Sequence, residues 1–293
     1  MNTMFKHILF PVDFSDASAA ALPAAVEMAR RSGARLTLLH VFHIPAAYYS
    51  SIDPVGQLMD DLPLLLEQAS TKLDTLAQTV TEPVSLEKVV VQGDPGPVIV
   101  SWAAENDVDL IMMGTHGHGL FRTLLLGSTT AKVLHDASCA VWTAPHTVDS
   151  VGPKNPAQLR MLCALNATSG EEKLIRGAVA LARDCSAQLW LVHAVPLPTE
   201  PIERGMDVEF CEYLVEASRK EIADLQEKAE SNLPVCVHEG AVSDVVSSAA
   251  IEHKADLIVI GRGHIHDTLG RLRTHTYAII RDAPCPVLSL PAA

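Results

Sequence analysis

A chain of 293 residues, 48% hydrophobic but only 4% aromatic, has material for two domains whose cores are built from Ala, Val, Leu and Ile. Its formal charge of -13 and pI near 5.4 disfavour phosphate backbones and anionic lipid, so neither nucleic acid nor a membrane is an expected partner. No apolar run approaches the ~20 residues that cross a bilayer. The opening MNTMFKHILFPVDFSD is broken by Pro11 and Asp13 too soon for a signal peptide, which makes the cytoplasm the expected location.

In chain order, HILFPV (His7 to Val12) is a short, bounded apolar run and reads as a strand. Ser15 to Gly33 reads as a helix stopped by its glycine, with Pro23 expected to kink it or delay its start. A strand at Arg35 to Phe42, a helix at Leu62 to Val80 and a strand at Val84 to Val91 follow. Pro95 and Pro97 suit the first turn of a helix running to Asn106. Then come a strand at Asp109 to Met113, a long glycine-rich loop, a helix at Ser128 to His135 and a strand at Ala140 to Thr143.

The order then repeats. RLTLLHVFHIP (Arg35 to Pro45) returns as QLWLVHAVPLP (Gln188 to Pro198), and LHDASCAVWTAP (Leu134 to Pro145) as IRDAPCPVLSLP (Ile280 to Pro291). The offset is 153 positions early and 146 late. A polar stretch rich in Pro and Gly, His146 to Gln158, reads as the linker. Two copies of one domain are expected, residues 1–146 and 157–293. In the second copy Ser169-Gly-Glu-Glu172 reads as a capping box opening its first helix.

Alternating strands and helices imply an α/β fold: two tandem doubly wound domains, each a five-stranded parallel sheet with helices on both faces. One reversal of direction gives the order 3-2-1-4-5, with ligands at the carboxyl edge between the first and fourth strands. Pro11, Val12 and Asp13 lie at that edge, and so does the loop from Gly114. Its glycines allow a ligand to approach the backbone, and Ser128 is the expected N-cap of the next helix, whose free N–H groups and dipole favour an anion. No lysine lies in this loop, so it is not a Walker A sequence; Arg122 and His116 are the nearby cations.

The spacing Gly114-x2-Gly117-x9-Gly127-Ser128, with Asp13 and the Cys-Ala-Val strand near Ala140, resembles the ATP-binding branch of the universal stress protein family. The resemblance covers both copies. It implies that Asp13 and the backbone of Val41 contact the adenine end of a nucleotide, beside Pro11 and Val12. It implies that Met113, Gly114, His116 and Gly117 border ribose and phosphates, with Arg122 near, and that Gly127, Ser128, Thr129 and Thr130 hold phosphate. His116 stands where many ATP-binding members carry arginine. The second copy departs: Asn166 replaces Asp13, Ala194 replaces Val41, no second glycine follows Gly261 in register, and Arg273-Thr274 replace Gly127-Ser128. Only the first copy is expected to bind ATP, with Mg²⁺ as a candidate companion.

The implied function is a nucleotide-responsive regulatory module of a stress response rather than an enzyme. The alternatives are slow ATP hydrolysis or phosphotransfer, and a metal or small ligand in the second copy. For the last, His264, His266 and His275 with Asp267 are candidates, though their spacing matches no firm metal motif. His40 and His193, at equivalent places, read as structural. The six cysteines form no CxxC pair and read as buried thiols. The helix EFCEYLVEASRKEIADLQEKAES reads as amphipathic, packed on its own sheet. The last strand of each copy is apolar and at a sheet edge, so the copies are expected to pair as an intramolecular pseudo-dimer, and a homodimer of chains can add to that.

Overall fold

Unbroken apolar runs such as Ile8-Leu-Phe10 and Leu110-Ile111 have no solvent face, and the fold covers them on both sides. These five residues are fully buried in the computed structural model, which describes residues 5–44, 54–115, 126–144, 159–168, 170–195, 206–262 and 271–291. The chain divides into two compact units, Thr3–Val141 and Trp142–Ala293. The expected linker lies outside the described residues.

The first unit runs β1 (His7–Pro11), α1 (Asp16–Ser32), β2 (Arg35–Phe42), α2 (Pro54–Ala77), β3 (Ser85–Gln92), α3 (Pro95–Glu105), β4 (Leu110–Gly114), α4 (Ser128–Asp136) and β5 (Ala140–Ala144). Its strands lie in the order β3-β2-β1-β4-β5. Central β1 pairs in parallel with β2 (Ile8 opposite Leu36) and with β4 (Ile8 opposite Leu110). The reversal of strand order therefore falls between β1 and β4, as the alternation of elements requires.

The second unit repeats this with β6 (Arg160–Leu165), α5 (Glu172–Asp184), β7 (Gln188–Val195), α6 (Met206–Lys228), β8 (Val235–Glu239), α7 (Val242–Glu252), β9 (Leu257–Arg262), α8 (Arg271–Asp282) and β10 (Val287–Pro291). Its order is β10-β9-β6-β7-β8, the same topology. α6 packs on β7 and β8 as its amphipathic pattern predicts, with Ile222 and Leu225 buried, while Phe210 and Tyr213 stay exposed.

A shared device aligns the strands at the amino edge. The Asp109 carboxylate accepts the Lys6 and His7 amides at 2.7 and 2.9 Å, and Asp256 accepts the Arg160 amide at 3.0 Å. The aspartate of each "DLI" run is thus a clamp ahead of the strand, and β4 begins one residue later than expected.

Three other expectations are corrected. Pro23 does not delay α1, which starts at Asp16 and runs through it to the left-handed cap Gly33 at φ 64°. Pro23 forfeits only one N–H bond on an exposed face. α2 begins at Pro54, well before Leu62, and stops at Ala77 rather than Val80. Pro54 at its first position suits a helix start, which the apolar pattern alone does not mark. α5 begins at Glu172 with Glu171 in the cap position; Ser169, and with it the expected box, lies outside the described residues. The cysteines are all free, but only Cys163, Cys211 and Cys285 are buried, whereas Cys139, Cys185 and Cys236 are partly exposed.

Candidate functional site

At the carboxyl edge of the first sheet, Val12 ends the pairing of β1. Its N–H donates to Leu39 O at 2.8 Å, and its carbonyl accepts from His40 Nδ1 at 2.8 Å. His40 is therefore structural, as expected, and its bond requires the proton on Nδ1. Buried His193 does the same for Leu165 O at 2.9 Å in the second unit. Phe14 then takes a left-handed backbone (φ 61°) to turn the chain into α1, and Ala167 (φ 54°) does so in the second copy.

Asp13 emerges, exposed, at this turn. Its Oδ1 accepts from the Ser15 amide at 2.9 Å and the Ser15 hydroxyl at 2.6 Å. Ser15 Oγ in turn accepts the Ser18 amide at 3.2 Å and caps α1. The first turn of the helix thereby aims the carboxylate. Beside it Pro11 is half-buried, and Val41 and Met113 are buried with their backbones at the strand ends.

Across the switch point, the loop after β4 leaves and re-enters the fold at one place. The Gly127 amide donates to Thr115 O at 3.0 Å, and Thr130 Oγ1 donates to Gly114 O at 3.1 Å. His116, Gly117 and Arg122, which lie between these anchors, are outside the described residues.

The N-cap of α4 is Gly127, correcting the expectation of Ser128, which is instead the first helical residue. Gly127 has no side chain to offer as a cap. The amides of Ser128, Thr129 and Thr130 have no acceptor within the helix, and they carry the positive end of its dipole. Ser128 is exposed and Thr129 half-buried, so both hydroxyls can reach a ligand. Buried Thr130 has its hydroxyl committed to Gly114, and only its amide remains for a ligand.

One group that the loop sequence does not reveal comes from α2. Lys72 Nζ lies 5.9 Å from the centre of the Phe14 ring, which itself packs 4.6 Å from the His40 ring. A cation thus stands over an aromatic face next to Asp13. No spacing rule links residue 72 to residue 14; only the packing of α2 beside β2 brings them together.

In the second unit Asn166 occupies the place of Asp13, and its amide donates to Glu171 Oε2 at 2.9 Å. His264, His266, Asp267 and the side chains of Arg273 and Thr274 lie outside the described residues. Among the described residues no group of three His, Cys, Asp or Glu side chains is placed to hold a metal.

Two tandem α/β units of doubly wound topology, the first with an aspartate and a glycine-capped helix start at the ends of its switch-point strands, define the class. The model of the universal stress protein family matches residues 4–145 and again 159–291, and the chain belongs to that family, with two of its domains in tandem. Universal stress protein A homolog 1 of Coxiella burnetii is 34% identical over 144 residues, 47% of this chain and 96% of that relative. A universal stress protein A homolog of Haemophilus influenzae is 37% identical over 127 residues, 43% of this chain and 86% of its own. The crystal structure of a universal stress protein from Archaeoglobus fulgidus covers 98% of this chain and 96% of its own, with a TM-score of 0.68 at 20% identity, a likeness of fold. Another universal stress protein, solved in complex with cAMP, matches 47% of this chain with a TM-score of 0.33. No described helix is long and apolar enough to cross a membrane.

Proposed function

We propose that the first domain, residues 1–146, binds an adenine nucleotide, ATP with Mg²⁺ as companion, and that the second, residues 157–293, does not bind it in the same way. The protein then acts as a nucleotide-responsive regulatory module in stress response. The observation that carries this reading is Gly127. Its backbone, at φ -57° and ψ 142°, is open to any residue, and a Ser or Asp there would cap α4. Glycine at such a position leaves the helix start bare, which suits close approach of a phosphate to the amides of Ser128, Thr129 and Thr130.

In this reading the base lies toward Asp13, Pro11 and the Val41 backbone, with Met113 and Gly114 beneath the sugar. His116, Gly117 and Arg122 contribute from the loop. Lys72 adds a positive charge near the Asp13 end. The test is extraction: denature the purified protein, identify released nucleotide by chromatography, and titrate the emptied protein with ATP by calorimetry. Binding of ATP that Asp13→Ala weakens by about tenfold or more supports the reading; no heat of binding with ATP or ADP sinks it.

From the apolar sequences of the last strands, CAVWTA and CPVLSL, we also infer that the domains pair within one chain. Sedimentation with crosslinking checks this: crosslinks between the last strands within a 31.5 kDa species fit internal pairing, and crosslinks between those strands only in a species of twice that mass move the pairing between chains.

A further inference from the structure

The two copies solve the same turn with opposite arrangements of charge. The matching turn residues Phe14 and Ala167, and the matching bonds of His40 to Val12 and His193 to Leu165, place Asn166 on Asp13, Thr168 on Ser15 and Glu171 on Ser18. In the first copy the amide of Ser15 is taken by a carboxylate that comes from the strand end, Asp13. In the second copy the equivalent amide of Thr168 is taken, at 3.4 Å, by a carboxylate that comes from the helix side, Glu171.

Glu171 does more than replace that bond. Its two oxygens accept the Asn166 amide at 3.1 and 2.9 Å, and Oε1 also accepts the Asn166 side-chain Nδ2 at 3.1 Å. The side chain at position 166 must therefore donate. An aspartate there would set a carboxylate oxygen about 3 Å from Glu171 Oε1, with both charges facing the same few amides. Ser18 raises no such conflict in the first copy: it is neutral and small, and its buried hydroxyl makes no hydrogen bond among the described residues.

We propose that Glu171 is the residue that sets the ligand preference of the second crevice. It occupies the turn amides with its own carboxylate, holds position 166 to an uncharged donor, and so bars the second copy from presenting the acid that the first copy shows at Asp13. This rests on the reading of Asp13 as a nucleotide contact. The loss of the acid is then not an independent change at position 166 but one half of a linked pair. Burial holds the Glu171 carboxyl above the usual carboxylate range, although the Asn166, Thr168 and Ala167 amides pull it down; such a group tolerates a second acid poorly.

The test is a set of whole-chain variants followed by thermal unfolding at pH 8. Asn166→Asp alone is expected to lower the melting temperature by about 5 °C or more. Asn166→Asp with Glu171→Gln, which keeps the size and removes the charge, is expected to recover most of that loss. Asn166→Asp with Glu171→Ser, which copies the first unit, is expected to recover most of it too. A single variant as stable as the parent overturns the proposal, and so do double variants that melt as low as the single one. Calorimetry with ATP on the parent protein keeps the two readings apart. No binding there removes the nucleotide role, while the melting comparison still decides whether Glu171 and position 166 are linked.

Discussion

Asp13 bonds Ser15 through Oδ1 and is the proposed contact to the base, so two effects separate on mutation. Asp13→Ala should cost about 1 kcal/mol of stability for the lost hydrogen bonds. It should also weaken ATP by at least about tenfold, or 1.4 kcal/mol, for a lost contact to the base; titration calorimetry and a melting curve read the two separately. At the opposite edge, His7 is buried, with Nε2 2.9 Å from Thr37 Oγ1 and Nδ1 2.9 Å from the Asn106 carbonyl. Burial, with Arg35 adding to it, holds His7 below its usual value of 6.5 against the pull of that carbonyl. The folded state then favours the neutral ring, while the unfolded chain protonates first. This contribution is complete above about pH 6.5 and is lost as pH falls through the depressed value. Melting temperatures between pH 5 and 8 should therefore decline on the acid side more steeply for the parent than for His7→Gln. Single residues also mark the limit of the sequence. Thr168-x-x-Glu171 and Ser169-x-x-Glu172 fit the same capping pattern one residue apart. The structure puts Glu171 itself in the cap position, with its carboxylate on the Asn166 and Thr168 amides, and no local rule contains that arrangement.

The elements were more legible, because most strands carry a short, bounded apolar run, although β3 opens with exposed polar residues. β2 and the order of all five strands in each copy agree with the sequence reading. Helix starts were less so: α2 begins at Pro54, eight residues before the expected Leu62. At α4 the error is informative, since the sequence offers a good cap in Ser128 and the fold places it one position too late to serve. Gly127→Asp supplies that cap. It should stabilise α4 by about 0.5 kcal/mol through the cap and the dipole. The same carboxylate would lie on the amides proposed for phosphate, so ATP affinity should fall by more than tenfold. A variant that melts higher and still binds ATP as the parent does would place the phosphates elsewhere.

For the molecule as a whole, the proposal that only the first copy takes ATP predicts one nucleotide per chain. Calorimetry should give a single site. ATP at about 100 times its dissociation constant should add about 2.7 kcal/mol to the stability of the form that holds it. Two equivalent sites would contradict the division of labour between the copies. The strongly acidic surface, at -13 overall, works against an anionic ligand at long range, so binding should be helped by moderate salt, which screens that repulsion. The duplication was legible because whole strings recur in the second copy, the topology because strands and helices alternate, and the family through the resemblance of Gly114-x2-Gly117-x9-Gly127-Ser128. The reach of Lys72 to Phe14 was not, because it depends on how α2 lies.

The clasp between Thr115 and Gly127 has a consequence for evolution and engineering. Because the scaffold itself holds the two anchor points together, whatever is strung between them is an exchangeable cassette. Doubling the length of such an insert costs only about 0.6 kcal/mol of closure entropy. A new binding preference can then be written into that segment while the surrounding architecture keeps its stability, and the very different wording of the second copy, from Gly263 to Gly270, reads as one such rewriting.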